Sequence, residues 1–180
     1  MNDLYAALTA FIAAYSQPAI DAAQIFNGFQ VGSIPPEKSN DFAVFSVLSQ
    51  HRVSMTRETW PSGDEDSAEF AHYAEALVQV DFYSKREFQA QERARTFALF
   101  AKSSPGVRFL RQRGIDLLFA DDPRNATGAF DSAQYTGRWT VVLHVGFMSR
   151  ATIGQDFFTE AIPRVANVDI VFPPTTKGHK

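Results

Sequence analysis

The stretch Ala76–Ser104, AEALVQVDFYSKREFQAQERARTFALFAKSS, constrains the fold more than any other. Val78, Val80 and Phe82 alternate with Gln79 and Asp81, so Ala76–Tyr83 has the period-two pattern of a half-buried strand. Ser84 stands three residues before Glu87, the spacing of a capping box, which predicts that a helix begins at once. Ala90, Ala94, Phe97, Ala98 and Ala101 then recur at helical spacing and give that helix one apolar face. Ser103-Ser104-Pro105-Gly106 ends it, because Pro disfavours a helical residue before it and Gly suits the exit. A strand that feeds directly into a helix with an apolar face predicts a helix packed on its own sheet.

Other segments add to this frame. Leu4, Ala7, Leu8, Phe11, Ile12 and Tyr15 form one stripe and predict a helix over Asp3–Ser16, with Pro18 just past its end. The stripe lacks the Lys/Arg-rich polar face of a membrane-surface helix, which assigns it to packing. Gln24–Val31 reads as a short strand or edge, and the Pro35-Pro36 stretch as loop. Phe42–Val53 predicts a strand with Phe42, Val44, Phe45, Val47 and Leu48 as core candidates. Val107–Leu118 is ambiguous. Tyr135–Arg150 predicts a long, central strand with Trp139, Val141, Leu143, Val145 and Phe147 on one face. Gln155–Ile162 suits a short helix and Val165–Phe172 a last strand.

These elements predict an α+β fold: a mixed, mainly antiparallel sheet, helices packed on one face, and a long protruding β-hairpin. One domain is expected over residues 1–172, with 173–180 as a disordered polar tail. The hairpin occupies about 49–75, where Trp60-Pro61-Ser62-Gly63-Asp64 supplies turn residues between two strands that should pair. Its outgoing side carries Arg52 and Arg57, and its tip Asp64 and Glu65. It reads either as a solvated loop or as an arm that orders against a neighbouring subunit. Trp60 favours the arm, since a Trp at a loop tip is a natural interface anchor. Arg52, Arg57, Trp60, Asp64 and Glu65 are therefore the expected subunit or partner contacts.

Composition excludes several kinds of chemistry. The chain has no Cys, so disulfides, thiol nucleophiles and Cys-based metal sites are out. His51, His72, His144 and His179 form no metal-binding pair, and Asp64-Glu65-Asp66 lacks the spacing of a calcium loop. There is no phosphate-binding glycine loop and no GxSxG elbow. No catalytic, cofactor-binding or metal-binding residue is assigned, and no cofactor is expected. A net charge of −3 gives no global pull toward nucleic acid or anionic membrane. The cluster Arg108, Arg111 and Arg113 beside Phe109 reads as a solvated or salt-bridging face rather than a nucleic-acid site. No run approaches the length of a membrane span, and Asp3 with no preceding basic residue is unlike a signal peptide. The 17 Phe require an aromatic core or an aromatic interface.

The order of elements resembles bacteriophage neck or tail terminator proteins. So do DLYAALTAFIAAY, the polar arm leading into VQVDFYSK, REFQAQERARTFALFAKS, and GIDLLFADDPRNATGAFDSAQYTGRWTVVLHVGF. PRNATGAFDSAQYTGRW, where Arg138-Trp139 opens the strand, is the most specific of these. The resemblance covers most of residues 1–172. It implies a virion structural protein, assembled in the host cytoplasm, that forms a hexameric ring on the end of the tail tube. Such a ring would meet the tail tube protein on one side and the neck or connector on the other, while DNA passes through without specific binding. A neck adaptor or tail-completion protein is the alternative within this class. A small α/β enzyme with an unrecognised site is the alternative outside it, resting on His144 and scattered acids.

Overall fold

Two 18-residue strands form the spine of the molecule. In the computed structural model, which describes residues 2–28, 41–60, 67–127 and 137–154, these are β4 (Ser67–Ser84) and β7 (Gly137–Gly154). They pair antiparallel along their whole length, from Ser67 opposite Gly154 to Ser84 opposite Gly137. β2 (Asp41–Arg52) lies antiparallel on the other side of β4, with a bulge between Val47 and Ser49. β1 (Ile25–Asn27) adds parallel to β2, and β5 (Ile115–Ala120) lies antiparallel on the outer side of β7. The sheet order is β1-β2-β4-β7-β5, with β3 (Arg57–Thr59) on β4 and β6 (Arg124–Asn125) on β7. The sheet is thus mixed and mostly antiparallel, as the α+β expectation required.

Helices α1 (Asn2–Tyr15), α2 (Glu87–Ala101) and α3 (Ser104–Arg111) cover one face. Alternation decides which face this is. Val78, Val80 and Phe82 of β4 and Val141, Leu143 and Val145 of β7 are all fully buried beneath the helices. The apolar stripe of α2 is buried throughout, as are Leu4, Ala7, Leu8, Phe11 and Ile12 of α1. Phe97 lies at the centre, with ring centroids 5.4 Å from Phe11 and 5.3 Å from Phe82.

Three local expectations are corrected. Ser84 does not cap α2. It is the last residue of β4, and its hydroxyl accepts the Arg86 N–H at 3.1 Å, while Arg86 stands at the N-cap with no side-chain cap. Glu87 instead accepts from Asn125 Nδ2 at 2.8 Å, tying the helix start to β6. At the other end, Ser103-Ser104-Pro105-Gly106 stops α2 but starts α3: Ser103 caps it through the Gly106 N–H, and Pro105 sits in the first turn. Gly106 is there for closeness, since a Cβ would overlap the Phe100 carbonyl oxygen. Leu48 is half exposed rather than core, because the bulge beside it turns the strand. The expected elements at Gln155–Ile162 and Val165–Phe172, the Pro35-Pro36 loop and the 173–180 tail lie outside the described residues.

A charged residue holds the layers together. Arg93 sits on the buried side of α2 with 3% exposure. It donates to the Pro18 carbonyl at 2.9 Å and to the Asp41 carboxylate at 3.1 Å. One side chain thereby ties α2 to the chain after α1 and to the start of β2. Burial pushes the Asp41 carboxyl up, but hydrogen bonds with Arg93 and Ser84 and the Arg93 charge outweigh it, so its pKa is lowered.

Two outcomes follow. Arg93→Ala should cost about 3 kcal/mol in urea denaturation, because it empties a buried site and strands two acceptors. A carboxyl held below its unfolded value stabilises the fold above about pH 4 and loses that contribution as pH falls through the folded value. Asp41→Asn should therefore flatten the acid limb of a stability–pH curve below about pH 4 and leave its neutral-pH slope unchanged.

Candidate assembly interface

The core does not follow the strands to their ends. It reaches only to Ala74 on β4 and Phe147 on β7. Both strands run on together, Ser67–Tyr73 against Met148–Gly154, roughly 20 Å of paired chain. Within this extension β4 buries only small residues, Ala68 and Ala71. β3 joins on the outer side, with Arg57 opposite Ala71 and Thr59 opposite Glu69. Among the described residues this end is three-stranded, since β7 pairs with β4, the return strand of the expected hairpin, on the side away from β3.

The outgoing chain breaks between β2 and β3 without leaving β4. Val53 donates its N–H to the Tyr73 carbonyl at 3.0 Å, and the Ser54 hydroxyl accepts the Tyr73 N–H at 2.8 Å. Met55 projects from this break with 93% of its surface exposed. Tyr73 also anchors the junction through its side chain. It crosses over Gly146, where a Cβ would overlap the phenol oxygen, and donates to Asp116 at 3.3 Å. Burial, together with the Asp116 charge and hydrogen bond, raises the phenol pKa. Asp116 also accepts from Arg111 at 3.4 Å.

The extension is rich in exposed apolar groups. Ten large apolar side chains are exposed among the described residues, and Val53, Met55, Trp60, Met148 and Ile153 belong to this end, with Leu48 at the bulge leading into it. Charges are interleaved with them. Arg150 pairs with Glu69 at 3.2 Å, and His51 with Glu75 at 3.4 Å, across neighbouring strands. Of the residues expected to make contacts, Arg52 ends β2, exposed, and donates to Thr56 at 3.4 Å. Arg57 opens β3, exposed and without an ion pair among the described residues. Trp60 follows β3, also exposed. Asp64 and Glu65 lie outside the described residues. The structure thus groups Arg52, Arg57 and Trp60 at one end of the sheet. Reading the sequence did not single out Met55, Met148 and Ile153; for Met55 the signal was an apolar residue inside a polar stretch.

The face without helices carries a polar network at its centre. Asp81 accepts from Gln79 at 2.8 Å, from Arg138 at 2.9 Å and from the Thr140 hydroxyl, and it is almost fully buried. Arg138 lies over the Tyr83 ring, which stacks on Phe42 at 4.5 Å. These contacts brace strands β2, β4 and β7 against one another. His144 is half exposed, 3.6 Å from Asp121 and edge-on to Phe119. Of the basic cluster, Arg111 is held by Asp116, while Arg113 lies over the Phe109 ring at 3.6 Å and donates to that residue's carbonyl. That is local helix chemistry. No group of three or more His, Asp or Glu able to hold a metal ion occurs among the described residues, and no described helix is long and apolar enough to cross a membrane.

A family model described as phage neck terminator protein matches residues 2–176. The chain belongs to that family. Membership makes it a structural component of the phage head–tail junction, located in the virion and in contact with other virion structural components, and it points away from an enzyme. No curated protein matches the chain.

The Tyr73 anchor gives a direct test of how the extension is fixed. Gly146→Ala should destabilise the neck protein by about 1–3 kcal/mol, because the new Cβ displaces the Tyr73 ring from Asp116. Most of that cost should vanish when Gly146→Ala is made in a Tyr73→Ala background, as read in a double-mutant cycle.

Proposed function

We propose that this neck protein closes into a ring, a hexamer, that terminates the tail tube and joins it to the neck connector. The observation that carries this reading is the extension beyond the core, where a paired strand end displays Val53, Met55, Trp60, Met148 and Ile153 among Arg52, Arg57 and Glu58. Exposed apolar groups rimmed by charge are the composition of a surface that meets another protein. An arm about 20 Å long gives each subunit reach across its neighbour. Asp64 and Glu65, which follow Trp60 in the sequence, add acids that the arginines of an adjacent arm or of the tube protein can pair with.

A net charge of −3 suits a ring through which DNA passes without being held, because a channel of like charge makes few phosphate contacts. Assembly takes place in the host cytoplasm, onto a finished tube.

The test compares the native protein with Arg52→Glu/Arg57→Glu after mixing with purified tail tubes, by negative-stain imaging. The native protein should cap tubes at one end with a closed ring, while the double variant keeps its melting curve within about 0.5 kcal/mol and leaves most tube ends bare. Normal rings from the double variant would remove the arm from the assembly interface.

A further inference from the structure

The outer face of α2 carries a stripe that its own domain leaves uncovered. Phe88, Glu92, Arg95 and Leu99 recur at spacings of four, three and four residues, and Lys102 at the C-cap continues the series. On a helix these positions fall within about 80° of arc, the seam pattern of a helix that packs along a second one. Yet Phe88 is 72% exposed and Leu99 68%. Beside the second half of the stripe lies a groove of about 500 Å³, lined by Thr96, Leu99 and Lys102 on the helix side and by Asp122 and Pro123 opposite. Lys102 donates to Asp122 at 2.8 Å and so bridges the two walls. The groove has room for a large aromatic side chain.

Charge selects the occupant. Lys102 is matched by Asp122, which leaves Glu92 and Arg95 as the charges of the stripe without an ion pair among the described residues. Read from either end, the stripe runs apolar, charged, charged, apolar, and its two inner charges are opposite. Two such helices set antiparallel, about a twofold axis between Arg93 and Ala94, therefore match at every position. Phe88 of each faces Leu99 of the other, and Glu92 of each faces Arg95 of the other. A parallel pair in register would instead set Glu92 against Glu92 and Arg95 against Arg95, which is repulsive. The complement of this stripe is the stripe itself.

We infer that α2 of one subunit pairs antiparallel with α2 of a second copy of this chain, with Phe88 of each seated in the groove beside Leu99 of the other. The contact is isologous, so it makes a pair and does not propagate. It uses the helical layer, whereas the extension continues the sheet beyond the core. It is thus a contact of a second kind, beyond the ring reading and independent of it. A 15-residue helix is about 22 Å long, so the interface is short and the pair is weak and concentration-dependent.

The test is sedimentation equilibrium of the full chain in an Arg52→Glu/Arg57→Glu background, which removes association through the extension. The average mass should rise with concentration and level at two subunits, with a Kd of about 10–500 µM. Glu92→Arg alone and Arg95→Glu alone should each weaken the pair about tenfold, because each sets like charges face to face on both sides of the axis. An equimolar mixture of those two variants should pair more tightly than either by itself, since one copy then presents only cations and the other only anions. Phe88→Ala should weaken the pair by a similar factor. All of these positions are on the surface, so the melting curves should stay close to that of the parent. A monomer at every concentration up to about 1 mM would overturn the inference, as would single variants that pair as the parent does. A mixture no tighter than its components would also overturn it, because the charges would then act within each helix rather than between two.

Discussion

The helical layer and the sheet of this neck protein meet at Phe97. Its ring touches Phe11 from α1 and Phe82 from β4, each edge-on at just over 5 Å. Aromatic pairs in that geometry add about 0.5–1.5 kcal/mol beyond the area they bury. More importantly, they fix relative position. Phe11 in turn packs on Phe109 of α3, and Tyr15 packs on both Phe109 and Phe100. A single chain of rings therefore sets where all three helices sit on the sheet. Flat side chains fill that space in few arrangements, so a substitution at Phe97 would disturb every helix rather than one.

Arg93 complements the rings one turn before Phe97 on α2. The rings act through shape, whereas Arg93 acts through direction, aiming one guanidinium at Pro18 and Asp41. A buried arginine is a poor source of stability compared with an apolar residue of the same size. Its value here is positional: it holds the crossing from α1 to the sheet and the start of β2 against the same helix. On the face without helices, Asp81 has the same role for β4 and β7, with Arg138, Thr140 and Gln79 meeting at one carboxylate. The sheet is therefore braced on both faces, by rings on one and by a charged network on the other.

How much of this the sequence discloses depends on the range of the interaction. Period-two alternation in Val78–Phe82 and Val141–Val145 is a local pattern, and both strands and their core faces are legible from it. The stripes of α1 and α2 are equally legible. The capping box at Ser84 was a false reading because the motif is local and its competitor is not: Asn125, 38 residues away, engages Glu87. The second helix at Ser104 was hidden because Ser-Pro-Gly both ends and starts helices, and only the packing of Gly106 against Phe100 decides between them. Arg93 could have been found, since it lies on the stripe of Ala90, Ala94 and Phe97, and a charge on a buried stripe needs a partner. The partner itself, on β2, was beyond any local pattern. Of the expected contact residues, Arg52, Arg57 and Trp60 fall together at the sheet end, as their place in a polar stretch between pairing strands suggested.

Strand length carries the last step. Strands of globular proteins run about five or six residues, and a strand no longer than its core requires would end near Ala74 or Phe147. β4 and β7 continue well past those points, paired with each other and with β3, and bury little more than two alanines there. Holding a backbone in extended form costs roughly 1–2 kcal/mol per residue, and two alanines return only a small part of that. The ladder of hydrogen bonds and the Tyr73 anchor fix the extension to the core, yet its large apolar groups stay in water. An isolated subunit gains little from such a feature. In the ring proposed above, the unrecovered part of the cost would be returned where a partner covers Met55, Trp60, Met148 and Ile153. That proposal makes the extension half of an interface, with energetics that assembly would complete.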